Sequence, residues 1–337
     1  MVVLPPEDGL KDLRFTIYDL QFAIGQWLLA MGGTFFPIAY CLSALLVGCG
    51  GSSERFVVAY TSQDQVYAEP ILRDFTRQTG IEVRAVYDSE AVKTVGLANR
   101  LLAERHHPQC DVFWNNEEFR TRQLGAQNVF RETDAWRAVG FRSRRMVINT
   151  NRVSTADAPS SLADLTDSKW RGKVALAYPL FGSTATYFMA LRHHWGDPRW
   201  TEWCRGLHAN QPLLVDGNSV VVKLVGKGEA WVGLTDSDDI AAGRREGLPV
   251  APLPITEESL LIPNTVGVIR NAPHPAEAQA LFDYLQQPST LDQLVRANAL
   301  EGNSREEVKT RTLSPDWNKL VGELDPATAK LKGIFLR

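Results

Sequence analysis

Polar side chains that could bind a charged solute follow two short apolar runs of this sequence. Leu213–Val215 is followed by the polar segment Asp216–Ser219, and Trp231–Leu234 is followed by a cluster that includes Asp236–Asp239. Carboxylates bind hard cations and ammonium groups, whereas a helix that begins just after a strand offers free backbone N–H groups to an anion. These residues therefore indicate a site for a small charged solute. The alternative is a surface loop in which the same residues cap helices.

The sequence contains none of the short motifs that mark common catalytic sites. GxSxG, HExxH and the phosphate-binding GxxxxGK[ST] are all absent. Paired carboxylates remain, but acid–base catalysis needs one carboxyl with a raised pKa, which sequence does not reveal. We therefore expect a binding protein and not an enzyme. A secreted hydrolase and a ligand-sensing domain are the alternatives.

Composition limits the class of protein and of partner. The 337 residues are 44% apolar and 22% charged, which is typical of a folded chain long enough for two domains. A formal net charge of −3, without a long basic run, gives no reason to expect nucleic acid. We expect a monomer. Cys110 and Cys204 lie far apart, without metal-ligand spacing, and are predicted to be buried.

The N-terminal region has the pattern of an export signal. No charged residue falls between Asp19 and Glu54, and the apolar stretch ends in Leu-Val-Gly-Cys, at Cys49, followed by Gly-Gly-Ser-Ser. This pattern resembles a bacterial lipoprotein signal and implies a lipid on Cys49. Residues 1–54 are therefore predicted to be signal or membrane anchor and linker, with the remainder tethered in the periplasm or cell envelope. Because acidic residues outnumber basic ones at the start, a misplaced start site or an uncleaved anchor stays open.

A strand-loop-helix pattern occurs three times after the linker. The apolar runs are Phe56–Tyr60, Ile81–Tyr87 and Val112–Trp114, and each one ends in polar residues. The pattern predicts an α/β fold in which a parallel sheet carries helices on both faces. Since ligands of such sheets bind at the carboxyl ends of the strands, the polar residues there are candidate ligands. These are Ser62, Gln63, Asp64, Glu90, Asn116 and Glu117.

Two arginines lie on an extended segment between the two halves of the chain. Arg142 and Arg144 alternate along Phe141–Arg145. We expect at most one of them to face the site, and each is more often a surface charge. Beyond them, the strand-like run Lys173–Ala177 is followed by a loop and a helix that begins near Gly182.

Several segments together resemble a known family. They include YTSQDQVYAEPIL, WRGKVALAYPLFGSTAT and DGNSVVVKLVGKGEAWVGLTDSDD, in this order and within roughly residues 55–300. They resemble the extracellular solute-binding proteins of bacterial ABC importers, in the ferric-ion-binding-like branch. The resemblance implies a type II periplasmic-binding-protein fold: two lobes, each a mostly parallel sheet flanked by helices, with the ligand cleft between them. Residues 55–150 with 264–337 would form lobe 1, and 151–263 would form lobe 2, with crossings near 148–153 and 261–266.

The resemblance also assigns roles to residues of the second lobe. Gly182, Ser183 and Thr184 match a helix N-terminus that binds an anion, and Asn218 matches a residue that joins the same anion. Ferric-binding members carry a pair of tyrosines where this sequence has Asp238 and Asp239. With Asp236, these carboxylates suit either a hard cation or the amine of a solute. Asp238, Asp239 and Glu90 are the candidate metal ligands.

The implied function is that of a substrate-binding lipoprotein that delivers a small solute to a permease and its ATPase. The sequence leaves two kinds of cargo open. One is ferric iron or another metal with a bridging anion, and the other is a small anionic or zwitterionic solute such as a phosphonate. No bound cofactor is expected other than such a transported metal.

Overall fold

The computed structural model describes residues 55–88 and 95–336, which form a mixed α/β structure. The strands are β1 (Phe56–Thr61), β2 (Glu82–Tyr87), β3 (Val112–Asn115), β4 (Trp136–Asn149), β5 (Val174–Ala177), β6 (Leu213–Val215), β7 (Val232–Asp236), β8 (Val250–Pro252) and β9 (Leu260–Val268). The helices are α1 (Gln65–Thr79), α2 (Val95–Ala103), α3 (Glu118–Ala126), α4 (Gly182–Trp195), α5 (Asp197–Ala209), α6 (Asn218–Lys227), α7 (Ser237–Arg245), α8 (Pro275–Leu285), α9 (Pro288–Arg296), α10 (Trp317–Gly322) and α11 (Leu324–Phe335).

The strands form one sheet with two parallel regions. Its order is β2-β1-β3-β9-β4-β7-β5-β6, and β8 pairs with β4. β1 runs parallel to β2 and β3, and β5 runs parallel to β6 and β7. Between these regions, β4 and β9 run antiparallel to their neighbours and to each other. The parallel strands are joined through helices, as parallel pairing requires, and β4 and β9 connect the two regions.

Each parallel region has its own hydrophobic core. In the first region, α1 and α8 bury residues such as Phe75 and Leu281 against β1, β3 and β9. In the second region, Phe188 of α4 packs with residues of β5 and β7. Phe335 of α11 belongs to this second core, and α11 contacts α4 and α5. The boundaries 55–150 with 264–337 and 151–263 remain predictions.

Most predicted elements are present, and the differences have physical causes. α1 ends at Gly80, which has φ 70°, the left-handed conformation that glycine commonly adopts after a helix. The tail has no strong periodicity, yet it forms α10 and α11. Asp316 caps α10 by accepting hydrogen bonds from two backbone N–H groups, and Leu320 packs in a small core with Met189. Capping and tertiary packing thus stabilise α10, whose six residues are too few to show a hydrophobic periodicity.

Strand β4 is longer than the extended segment Phe141–Arg145 that the sequence indicated. It begins at Trp136 and pairs first with β9 and then with β7 and β8. The register to β9 shifts between Val139 and Arg142, where Gly140 has φ 58°. A Cβ on Gly140 would lie 2.4 Å from Leu300 Cδ1, so the bulge needs glycine for both conformation and space.

Two further expectations concern cysteines and membrane segments. Cys110 and Cys204 are both buried and free, which confirms that prediction, and burial raises the pKa of the Cys110 thiol. Within the described ranges, no helix combines the length and apolar character needed to cross a bilayer. The predicted leader, Cys49 as its lipid attachment site, and Glu90 all lie outside the described residues.

Candidate functional site

A cleft of about 520 Å³, including space open to solvent, is lined by strand ends and helix starts. Nine of the predicted ligand residues line it: Asp64, Asn116, Gly182, Ser183, Thr184, Asn218, Asp236, Asp238 and Asp239. They come from both parallel regions of the sheet. The cleft therefore lies where the carboxyl ends of parallel strands meet, as expected for ligand sites of α/β sheets.

Four helices begin at the wall of this cleft. They are α1, α4, α6 and α7, and each contributes lining residues from its N-cap or first turn. None of the four has a side-chain hydrogen bond from its N-cap residue. The first-turn N–H groups of any helix lack partners within the helix and carry partial positive charge. The cleft thus presents several backbone donors to a bound solute.

Asp236, at the end of β7, is the acceptor on which the polar side chains of the cleft converge. Its side chain is 1% exposed. Arg144 Nη1 donates to Asp236 Oδ1 at 2.7 Å, and Ser183 Oγ donates to Oδ2 at 2.6 Å. Asn218 Nδ2 lies 3.3 Å from Oδ2, and Arg142 Nη1 lies 3.2 Å from the same oxygen. Both oxygens of Asp236 therefore have strong, charge-assisted partners.

Arg144 is completely buried, contacts this carboxylate and is not among the residues that line the cleft. Besides Asp236, its Nη1 donates to Asn218 Oδ1 at 2.9 Å and contacts Ser183 Oγ at 3.3 Å. Its Nη2 donates to the carbonyl of Leu234 at 3.2 Å. Arg144 thus holds the starts of α4 and α6 against the end of β7 through Ser183, Asn218 and Asp236.

Arg142 connects the second parallel region to the first. Its Nη1 donates to Asp238 Oδ2 at 2.8 Å and Oδ1 at 3.0 Å, at the start of α7. Its Nη2 donates at 2.7 Å to the carbonyl of Asn116, in the loop after β3. Arg142 is 3% exposed, and its Nε has no hydrogen-bond partner. One guanidinium on β4 therefore contacts both walls of the cleft.

The expectation that each of these arginines is a surface charge is wrong, whereas only Arg142 of the two lines the cleft. Arg142 and Arg144 are both buried, and both contact Asp236. Residues two apart on a strand lie on the same face, not on opposite faces. The sequence signal for this network was the presence of two arginines, two residues apart, on a strand that is otherwise largely buried.

Burial and neighbouring charges shift the pKa values of the two acids in opposite directions. Burial alone would raise the pKa of Asp236, but Arg144 and Arg142 hold it below its ordinary value. Burial raises the pKa of Asp238, and nearby Asp236 adds to the rise in spite of Arg142. Although burial opposes its charge, Asp238 and Asp236 raise the pKa of Arg142. Asp236 is therefore a firmly ionised group, and Asp238 is the more readily protonated one.

Carboxylate oxygens of Asp236, Asp238 and Asp239 lie within 4.8 Å of one another, which is close enough for one metal ion. Oxygen ligands of this type fit a hard cation. Asp236 and Asp238, however, are already paired with arginines. A metal here would therefore compete with Arg142 for Asp238, and with Arg142 and Arg144 for Asp236.

Three predicted ligand residues do not line the cleft but support its walls. Ser62 Oγ donates to Asn115 Oδ1 at 2.5 Å, and Gln63 Oε1 accepts from Asn264 Nδ2 at 2.7 Å. Glu117 caps α3 by accepting from the backbone N–H groups of Phe119 and Arg120 at 2.6 and 2.9 Å. All three predicted residues are buried, and each has a side-chain hydrogen bond within the protein.

The structure adds aromatic lining residues that sequence reasoning did not select. Tyr178 and Phe181 lie in the loop before α4, and no pattern in the sequence marked them as ligands. Asp216, which follows β6 in the polar segment Asp216–Ser219, also lines the cleft. Five carboxylates and one guanidinium group, that of Arg142, line the cleft, so its lining side chains are acidic overall.

Comparison with known proteins identifies the class of this chain. The model of the family described as bacterial extracellular solute-binding protein matches residues 56–297. Over 219 residues the chain is 26% identical to a protein of Serratia marcescens named Fe(3+)-binding periplasmic protein, covering 59% of this chain and 62% of that one. It is 25% identical over 229 residues to a putative 2-aminoethylphosphonate-binding periplasmic protein of Salmonella paratyphi A, covering 63% and 66%. The match thus spans less than two thirds of each relative.

Solved structures share the fold at lower identity. Iron-bound HitA of Pseudomonas aeruginosa superposes with a TM-score of 0.71 at 18% identity, over 83% of this chain and 99% of that one. AfuA of Actinobacillus pleuropneumoniae, solved with fructose-6-phosphate, gives 0.72 at 17% identity, over 84% and 99%. The predicted two-lobed type II binding-protein fold is therefore confirmed.

Proposed function

Because the chain belongs to the bacterial extracellular solute-binding proteins, we propose that it is the substrate-binding protein of an ABC importer. In this function it captures one small solute in the cleft and delivers it to a permease and its ATPase. The observation that carries the proposal is the convergence of four helix N-termini and five lining carboxylates on one cleft between the two parallel regions. Such a site binds and releases a charged solute without chemical change.

The acidic character of the cleft favours a solute that brings positive charge. Asp64 and Asn116 belong to the first region, whereas Asp238 and Asp239 belong to the second. A cationic group between them would interact with both walls. Ferric iron or another metal is one such cargo, and the three carboxylates within 4.8 Å of one another support it. The name of the Serratia relative supports the same cargo.

A small zwitterion is the second candidate cargo. The first turns of α4 and α6, at Ser183 and Asn218, offer backbone N–H groups to an acid group, and Asp238 and Asp239 line the same cleft and suit an amine. Tyr178 and Phe181 add aromatic surface that a bare metal ion does not need. The name of the Salmonella relative supports this cargo.

We place the mature protein in the periplasm or cell envelope as a monomer, tethered by a lipid on Cys49. The Leu-Val-Gly-Cys sequence before a Gly/Ser linker supports the lipid. Intact-mass measurement on membrane extracts tests it, because wild type should carry a diacylglycerol mass increment that Cys49→Ser lacks. Wild type without that increment would contradict lipidation.

Calorimetry with a panel of solutes tests the binding function. The panel contains ferric ion supplied as its nitrilotriacetate complex, 2-aminoethylphosphonate, and simple amines and phosphonates. We expect one of them to bind with a stoichiometry of one and to be recovered unchanged. Turnover of a solute would instead favour the hydrolase alternative. A neighbouring gene for a permease and ATPase would separate transport from sensing.

A further inference from the structure

The polar side chains of the cleft converge on a carboxylate that belongs to the protein itself. Asp236 accepts from Arg144 and Ser183 at 2.7 and 2.6 Å, with Arg142 and Asn218 at 3.2 and 3.3 Å. A guanidinium pair, a hydroxyl and an amide around two oxygens form the donor set with which proteins bind a free oxyanion. Here the anion is attached to the chain at the end of β7.

These donors have little capacity left for a second anion. Ser183 has one hydroxyl proton, and it points to Asp236. Asn218 directs its amide N–H groups to Asp236 Oδ2 and Ser183 Oγ, and its carbonyl oxygen accepts from Arg144 and Thr184. Arg144 and Arg142 both contact Asp236, at 2.7 and 3.2 Å, so its carboxylate is paired with positive charge. A solute anion placed at these side chains would face a buried negative charge.

We propose that Asp236 acts as the built-in anion of the cleft, so that the protein binds a cationic cargo without a free anion at Ser183 and Asn218. This inference rests on the proposed solute-binding function and specifies its cargo. The positively charged part of the cargo, a metal ion or an ammonium group, binds near Asp238 and Asp239. Any acid group of the same solute uses backbone N–H groups and not the side chains that Asp236 occupies.

The proposal makes a prediction about inorganic phosphate that does not depend on the cargo. Asp236→Asn removes the carboxylate from Arg144, which leaves a buried positive charge beside a free Ser183 hydroxyl. Asp236 is buried but belongs to the lining of the cleft, so a phosphate ion in the cleft comes next to the substituted side chain. We expect Asp236→Asn to bind phosphate at least about tenfold more tightly than wild type, since a hydrogen bond to a charged group contributes about 1.5–3 kcal/mol.

Calorimetry with phosphate on three proteins tests this expectation. Asp216→Asn is the matched control, because Asp216 is an exposed lining carboxylate outside the Asp236 network. It should gain no phosphate binding. Wild type that binds phosphate as tightly as Asp236→Asn would overturn the proposal. So would a folded Asp236→Asn protein that gains no affinity over wild type.

A second measurement keeps the test valid if Asp236→Asn fails to fold. Wild type is titrated with ferric nitrilotriacetate and with 2-aminoethylphosphonate, each with and without 10-fold excess phosphate over protein. We expect the same dissociation constant in both buffers for the solute that binds. A requirement for phosphate would refute the built-in anion, whereas binding of neither solute would count against the proposed function. The two failures are therefore distinguishable.

Discussion

Arg142 Nη1 and Asp238 Oδ2 lie 2.8 Å apart and form a buried ion pair between strand β4 and the start of helix α7. Because the same guanidinium also donates to the carbonyl of Asn116, the pair reaches from one wall of the cleft to the other. A solute bound at Asp238 therefore acts directly on a side chain that both walls share. Binding of a solute at Asp238 can therefore change the distance between the two walls through the contacts of Arg142.

Removal of the carboxylate charge at Asp238 or Asp239 should weaken solute binding. Each charge-assisted contact contributes about 1.5–3 kcal/mol, or roughly tenfold or more in affinity. Ser183→Ala should have a smaller effect, since backbone N–H groups remain at the start of α4. Calorimetry on the variants measures this, with exposed Asp134→Asn as control. Wild-type affinity in both Asp238→Asn and Asp239→Asn would exclude these residues from the site.

Loss of Arg144 should destabilise the folded protein. Arg144→Met leaves the buried carboxylate of Asp236 without its shortest arginine contact. Breaking a buried ion pair on one side costs about 3–5 kcal/mol. Denaturant unfolding should therefore give a clearly lower midpoint than for wild type. Arg244→Met, at an exposed arginine of α7, is the control and should leave the midpoint nearly unchanged. Equal midpoints for the two variants would contradict the buried network.

Glu117 should impose a pH dependence on stability that Glu117→Gln lacks. Burial raises the pKa of Glu117 in the folded protein above its ordinary value of 4.5. Its contribution to stability is therefore fully present below the unfolded-state pKa and is lost as pH rises through the folded-state pKa. Relative to Glu117→Gln, the free energy of unfolding of wild type should fall as pH is raised from about 4 to 8. Parallel pH profiles for the two proteins would rule out this account.

Ligand binding should bring the two lobes together. A solute that contacts Asp64 or Asn116 on one wall and Asp239 on the other makes all these contacts only when the cleft is closed. Small-angle scattering should therefore give a smaller radius of gyration when the solute from the calorimetric panel is saturating. The Asp238→Asn and Asp239→Asn double variant at the same solute concentration serves as control. An identical curve for wild type with and without bound solute would argue against closure.

The sequence predicted the parallel regions well because local signals define them. Apolar runs such as Phe56–Tyr60, each followed by polar residues, gave β1 to β3 and the edge at which the cleft lies. Gly80 is the residue type that commonly follows a helix, and it ends α1 in the left-handed conformation. Strand ends indicated Asp64 and Asn116, because parallel strands bring their carboxyl ends to one edge, whereas the roles of Gly182, Ser183, Thr184 and Asn218 came from the family resemblance.

The charged network could not be predicted, because it depends on contacts distant in sequence. Arg144 and Asp236 are separated by 92 residues, and nothing local pairs them. Their proximity follows from the antiparallel register of β4 with β7, which places Arg144 opposite Asp236. Residues two apart on a strand share a face, so the period of two along β4 puts Arg142 and Arg144 on one face, although we expected them to alternate. Glu117 was likewise selected by its position at a strand end, where it caps a helix instead.

Native mass spectrometry with the solute panel tests the central claim most directly. Wild-type protein purified without denaturation is compared with the Asp238→Asn and Asp239→Asn double variant, both exposed to ferric nitrilotriacetate and 2-aminoethylphosphonate together with simple amines. The account predicts a single adduct of one small solute per wild-type chain and a strongly reduced adduct in the variant. An equal adduct in both proteins, or none in wild type with any member of the panel, would contradict a solute site in this cleft.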